Sequence, residues 1–326
     1  MNAERPRDGF LVLEAEAEAF VRRHRCPVVP RGTDPGQARA EMAVLLGRGG
    51  GLPDVDEEWL ALPGPRGDRV RVRVLRPSGV AGPLPVVLFL HGLGWMLTDA
   101  NAHDALLADL VLGVDAAVVV PEYDRPPEAR YPVALEQVYA VARWLASHGG
   151  ERALDGGRLA VAGVSAGANL AAALALLANR RGGPRLAHQA LVCPVTDARM
   201  DTASYRRFGA GYFLDREAMD RFWRQYVPED ADRLTATASP ARATDAELAG
   251  LPPTLVITAE ADVVRDEGER YAARLRRARV PVVSMRYHGT VHGFLLFEQL
   301  RGTHAARAAR SQLLDTLHEA LHAWPG

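Results

Sequence analysis

The chain contains no lysine. All 39 of its basic residues are arginine, which excludes Schiff-base chemistry, a lysine-anchored cofactor and the lysine of a phosphate-binding P-loop. Its two cysteines, Cys26 and Cys193, are too few for a disulfide framework or a multi-cysteine zinc site. Cys193 lies in an apolar run that reads as a strand and is expected to be an inert core residue. Net charge is nearly absent, −1 from 39 basic and 40 acidic side chains, so there is no electrostatic footprint for nucleic acid or a membrane surface. No apolar run is long enough to span a bilayer. Met1 to Asp8 lead into a glutamate-rich segment and not into the apolar core of a signal peptide. The expectation is a cytoplasmic protein with neither nucleic acid nor membrane as partner.

What is present is an alternation of elements. With 326 residues, 48% of them hydrophobic, the chain can bury a large core. Phe10 to Arg25 and Asp34 to Arg48 read as helices, the second capped by Asp34 with Pro35 at its first position, and Gly49 to Pro53 reads as a break. Trp59 to Leu62 and Arg69 to Leu75 read as strands. In the second, arginine alternates with apolar residues, so one face is expected to be wet. Apolar strands at Pro85–Leu90, Ala116–Val120, Leu159–Val164, Ala190–Pro194, Thr254–Thr258 and Pro281–Tyr287 are separated mostly by helical stretches. This rhythm predicts an α/β fold, a mainly parallel sheet with helices on both faces. It breaks between Thr196 and Leu251, where only helical pieces such as Asp215 to Tyr226 occur. An insertion of that size is usually functional, often a lid. The expected organisation is N-terminal cap helices over 1–50, a core made of 51–195 and 252–326, and a cap insertion over 196–251.

The chemistry centres on Gly163-Val-Ser-Ala-Gly167, between an apolar strand and an alanine-rich helix. Glycines two before and two after a serine let strand and helix approach closely while the serine takes a strained conformation that lifts its hydroxyl above the sheet. The Ala166 N–H then lies at a helix N-terminus, suited to an oxyanion. A serine needs a base to take its proton, and that base needs a carboxylate to orient it. In hydrolases with this turn the acid and then the histidine follow the serine in the chain. Asp262, just past a buried strand, is the first choice of acid, with Glu260, Asp266 and Glu267 as rivals. Asp266 and Glu267 fit better as charges at a helix N-terminus. His292, in Gly289-Thr-Val-His-Gly-Phe294, is the first choice of base, with His288 as rival and expected to be a packing residue. The glycine-rich His91-Gly-Leu-Gly loop can offer the N–H groups of Leu93 and Gly94, and His91 itself fits a structural role.

Taken together, these motifs resemble the hormone-sensitive-lipase-like carboxylesterases, α/β-hydrolases with a helical cap. The likeness runs from about Pro85 to Phe294. His91-Gly-Leu-Gly-Trp95 with His103-Asp104 resembles the family's His-Gly-Gly-Gly segment. Tyr123, Pro127, Glu128, Tyr131 and Pro132 resemble its Asp-Tyr-Arg-Leu-Ala-Pro-Glu segment and the Tyr-Pro after it. Ser239-Pro240, Pro252-Pro253 and Arg265-Asp-Glu-Gly-Glu-Arg-Tyr271 are further landmarks. The resemblance implies Ser165 as nucleophile, Asp262 as orienting acid and His292 as base. Three positions depart from the pattern. Leu93 replaces the middle glycine of the oxyanion loop, Val164 stands where an acid is usual, and Asp124 and Arg125 stand where arginine and leucine are usual. The changes at 164 and 124 read as linked, since losing only one of an ion pair strands a charge.

The function expected is hydrolysis of a small-molecule ester, with no metal or organic cofactor and a homodimer through an exposed edge strand. Trp95, Phe208, Tyr212 and Phe213 are candidates to line the substrate pocket, with Phe222 and Trp223 as further aromatic surface. Two other readings stand beside it: dehydratase, lyase or cyclase chemistry on a specialised metabolite in the same site, and a non-catalytic small-molecule receptor.

Overall fold

A computed structural model of the chain describes residues 11–26, 34–47 and 51–323. Its frame is an eight-stranded sheet made of β1 (Val55–Pro63), β2 (Arg69–Pro77), β3 (Leu84–Leu90), β4 (Ala117–Glu122), β5 (Leu154–Val164), β6 (His188–Val192), β7 (Thr254–Ala261) and β8 (Val282–Val291). The strand order is β1-β2-β4-β3-β5-β6-β7-β8. β2 runs antiparallel to both its neighbours, and every pair from β4 to β8 is parallel. Strands β3 and β6 are buried along their whole length, which is why they read as continuous apolar runs.

Several strands outrun the stretches legible in the sequence. β5 begins at Leu154, β7 continues to Ala261 and β8 continues to Val291. Consequently Ser165, Asp262 and His292 are each the first residue beyond a parallel strand, all at the carboxyl edge where open α/β sheets place their ligands. The wet face expected of β2 is corrected at one position. Arg73 is only 4% exposed, because Glu57 at 2.9 Å and Asp104 at 2.7 Å neutralise it, whereas Arg71 stays exposed and lies over the Trp59 ring.

The first described helix spans Ala15–Arg23 and buries Ala17, Phe20 and Val21. The expected start at Phe10 lies outside the described residues, as do Arg48, Gly49 and Gly50. The second spans Pro35–Leu46, with the Asp34 side chain accepting the Gly36 N–H as a cap. Within the long β6–β7 connection, helix Arg216–Tyr226 is capped by Asp215 and buries Met219, Phe222, Trp223 and Tyr226. This connection meets the N-terminal segment directly. The Phe20 and Phe213 rings are 5.2 Å apart, and the Cys26 N–H donates to the Phe213 carbonyl at 3.1 Å.

Candidate active site

Ser165 sits between β5 and helix Ala166–Arg181 with φ 60° and ψ −119°, a region that non-glycine residues enter at a cost of about 1–3 kcal/mol. Its surroundings hold it there. The Ser165 N–H donates to the Val192 carbonyl at 2.8 Å. A methyl group on Gly167 would run into the Leu90 and His91 carbonyls, and one on Gly163 into the backbone of Gly167. The two glycines of the motif are therefore required by close backbone approach, as the spacing predicts.

The hydroxyl of Ser165 lies 2.8 Å from His292 Nε2. On the other side of that ring, Nδ1 lies 2.7 Å from Asp262 Oδ2, and Asp262 Oδ1 accepts the Val264 N–H at 3.0 Å. Serine, histidine and aspartate are 2%, 1% and 1% exposed, so water competes weakly for these bonds. The rival acid and base lie elsewhere, paired with each other: His288 Nδ1 is 3.0 Å from Glu260, and its side chain is 70% exposed. His288 is thus a surface residue and not the packing residue expected.

Leu93, Gly94 and Trp95 follow one another with φ of 61°, 70° and 62°. This left-handed run turns the N–H groups of Leu93 and Gly94 out of the chain's own bonding. Those two and the Ala166 N–H find no acceptor among the described residues. The loop is set against the serine turn, since a Cβ on Gly92 would meet the Val164 carbonyl and lie 3.5 Å from Ser165 Cβ. Thr98 Oγ1 donates to the Gly92 carbonyl and Tyr123 to the His91 carbonyl, each at 2.8 Å. The His91 ring stacks on Tyr123 at 4.0 Å. Burial, aided by Arg125, pushes His91 well below the ordinary imidazole range, so it anchors the loop as a neutral ring.

A narrow apolar void lies over Ser165 and His292, walled by Leu93, Gly94, Trp95, Val195, Met219 and Phe222 among others, and has no room for a water molecule. Of the four aromatic candidates only Trp95 faces this void. Phe208 and Tyr212 meet edge to face at 5.2 Å, Arg265 lies over Phe208, and Phe213 packs on Phe20 and Phe297. Phe222, Met219, Leu214 and Cys26 line the void instead. Only Phe222 carried a signal in the sequence, as one of the aromatic residues of the insertion.

Asp266 and Glu267 lie in the first turn of helix Arg265–Arg277, as expected, but Glu267 also has a second role. It is 1% exposed and its Oε1 accepts the N–H groups of Thr196 at 2.6 Å and Asp197 at 3.3 Å, fastening the start of the β6–β7 connection. Burial, with Asp197 and Asp262 nearby, raises its carboxyl well above the usual range. Cys193 stands behind the pair. Its sulfur and donor atoms of Asp262 and His292 lie within 4.8 Å of one another, a set that could bind a metal only by breaking the Asp262–His292 bond. Burial first, then Asp262, push its thiol far up, which leaves it unreactive. The presumed link between positions 164 and 124 is not found. Val164 is buried in β5, while the Asp124 carboxylate accepts from Gln137 Nε2 at 2.8 Å. Strand β3 lies between β5 and β4, the strand preceding Asp124, a separation of roughly 10 Å.

A protein-family model described as alpha/beta hydrolase fold matches residues 87–296. The chain is 38% identical over 258 residues to Carboxylesterase NlhH of Mycobacterium tuberculosis, covering 78% of this chain and 79% of that one. It is 40% identical over 275 residues to Carboxylic ester hydrolase LipN of the same organism, covering 82% and 71%. Among solved structures, a thermostable esterase from Pseudomonas putida ECU1011 superposes with a TM-score of 0.91 at 39% identity, over 98% of this chain and 99% of that one.

Proposed function

Because this chain belongs to the hormone-sensitive-lipase-like family of α/β-hydrolases, we propose that it is a carboxylesterase, cleaving small to medium, largely apolar esters through an acyl-enzyme on Ser165. His292 Nε2 takes the Ser165 proton as the oxygen attacks the ester carbonyl. The N–H groups of Leu93, Gly94 and Ala166 receive the developing oxyanion, where losing one donor costs about 10²–10³ in rate. Collapse of the tetrahedral species expels the alcohol, which takes its proton from His292. Water then gives a proton to the same nitrogen, attacks the acyl carbonyl and releases the acid. Asp262 holds the ring with Nδ1–H toward itself and stabilises the imidazolium.

The observation that carries this reading is the unbroken relay from Ser165 through His292 to Asp262, at 2.8 and 2.7 Å. An elimination or cyclisation would use the imidazole without needing a serine bonded to it, and a receptor would need neither. In this reading the described residues of 1–50 and the connection 196–251 form the cap, since Cys26 from the first and Leu214, Met219 and Phe222 from the second line the void over the serine. The partner is a small-molecule ester. A homodimer would pair through edge strand β8, where Val283 and Met285 are 50% and 43% exposed. Two free, buried thiols suit a reducing cytoplasm. No helix among the described residues is long and apolar enough to cross a membrane.

The test is Ser165→Ala. It abolishes turnover of p-nitrophenyl acetate and labelling by a fluorophosphonate while the circular dichroism spectrum stays that of the parent. Turnover that survives the substitution overturns the mechanism.

A further inference from the structure

A second and much larger cavity, of about 790 Å³, opens beside the void over Ser165. It lies between helix Pro35–Leu46, the segment after Leu93 and the segment after His292. Most of the charges on its wall are already engaged. Arg39 holds Glu128 at 2.7 Å, Arg301 holds Asp109 at 2.6 Å, Asp104 holds Arg73 at 2.7 Å, and Arg125 donates to the Thr98 carbonyl at 2.8 Å. The rest of the wall offers Leu46, Leu97, Leu106, Leu296 and Phe297, together with exposed Asn101 and Glu298 and the buried His103 ring, whose nitrogens have no hydrogen-bond partner among the described residues. A charged group lodged among the leucines and Phe297 would shed its hydration away from the paired charges, whereas an alkyl chain there would gain apolar contact.

The partition between cavity and void is thin. On one side Leu97, facing the cavity, donates its N–H at 3.2 Å to the carbonyl of Leu93, which faces Ser165. On the other side stands Phe297. Its ring lies so close to Gly293, the residue after His292, that a Cβ there would be 3.2 Å from it. The Phe297 ring also meets Phe20 and Phe213, each at 4.9 Å. One side chain therefore joins the N-terminal helix, the β6–β7 connection and the histidine loop, and it lines a cavity with room for a sizeable ligand while touching the residue next to His292.

We propose that the cavity holds a neutral alkyl arm of the ester whose carbonyl sits at Ser165, and that Phe297 sets how long an arm the enzyme accepts. This rests on the esterase reading, which supplies the carbonyl at Ser165, and adds to it the substrate class and the residue that selects it. Swinging or shortening the Phe297 side chain connects the two spaces. The arm is the acyl chain or the alcohol chain, according to which leaving direction the cavity serves.

The experiment compares kcat/KM for p-nitrophenyl acetate with p-nitrophenyl decanoate, and for ethyl acetate with decyl acetate, in the parent, Phe297→Ala, Phe297→Leu and Leu97→Phe. Shortening Phe297 raises the long-to-short ratio about tenfold, the discrimination expected of a changed apolar pocket, and Leu97→Phe lowers it. A change in the first series identifies an acyl arm and a change in the second an alcohol arm. Phe297→Leu, which keeps most of the buried apolar volume, serves if the alanine variant fails to fold. Ratios that stay constant in both series, or long and short esters losing activity in equal proportion, overturn the proposal and leave Phe297 a packing residue. A parent enzyme inactive on all four esters instead overturns the esterase reading beneath it.

Discussion

His292 Nδ1 stands 2.7 Å from Asp262 Oδ2, while Asp262 Oδ1 is held by the Val264 N–H at 3.0 Å. The carboxylate cannot rotate without giving up one of these bonds, so the ring tautomer is fixed from behind. Asp262→Asn presents an amide N–H₂ or a single carbonyl to the ring and removes that control. On p-nitrophenyl acetate kcat falls about 10⁴-fold, the size seen when an aspartate of the serine-protease triad is replaced in this way. A loss of less than tenfold by steady-state assay would show that the acid does not orient the base.

Gly167→Ala sets a methyl group against the Leu90 and His91 carbonyls. Backbone atoms of a central strand cannot move aside as a flexible side chain can, so the cost is about 3 kcal/mol or more. Urea unfolding should show a lowered midpoint at an unchanged slope. A midpoint equal to the parent's would mean that strand β3 and helix Ala166–Arg181 are not held at this spacing in solution.

Leu93→Gly separates two contributions at one position. A leucine at φ 61° carries roughly 1–2 kcal/mol of conformational strain, which glycine relieves. Loss of a buried leucine side chain, 2% exposed, costs roughly 1.5–3 kcal/mol. Net stability falls only slightly, and because the N–H group survives, kcat on p-nitrophenyl acetate stays within a few fold of the parent. A fall of 10² or more would show that the side chain, and not only the amide, serves the reaction.

His188, at the start of β6, is 7% exposed, and burial lowers its pKa from 6.5 to about 4. As pH falls through 6.5 the unfolded chain takes up a proton that the folded chain refuses until about pH 4. Stability therefore declines across that window, by roughly 3 kcal/mol for this one group, and the group contributes no slope above it. Thermal melts of the parent should drop more steeply between pH 6.5 and 4 than those of His188→Gln. Parallel curves would assign the acid sensitivity to other groups.

The sequence made the reacting side chains readable because each is tied to a local pattern. Ser165 sits in a glycine-bracketed turn, and Asp262 and His292 lie a few residues beyond apolar runs that read as strands. What surrounds them was less readable. Met219 and Phe222 reach the serine from helix Arg216–Tyr226, over 50 residues downstream, and nothing in their own periodicity distinguishes that destination from the core. Phe208 and Tyr212 share the aromatic character of Trp95 but turn toward each other. Arg73 reads as solvated within an alternating strand, yet Glu57 and Asp104 make its burial tolerable. Glu267 reads as a helix-end charge, and its bonds to the backbone of Thr196 and Asp197 appear only when the chain is folded. In each case the deciding partner is distant in the chain.

The absence of room for a water molecule over Ser165 bears on how fast any reagent can arrive. If Met219 and Phe222 must move before a fluorophosphonate reaches the serine, its labelling rate rises with concentration and then levels off at the frequency of that motion. Past this plateau, a more electrophilic warhead gains nothing. The clock is then mechanical, and a progress curve read at saturating inhibitor measures the breathing of the fold.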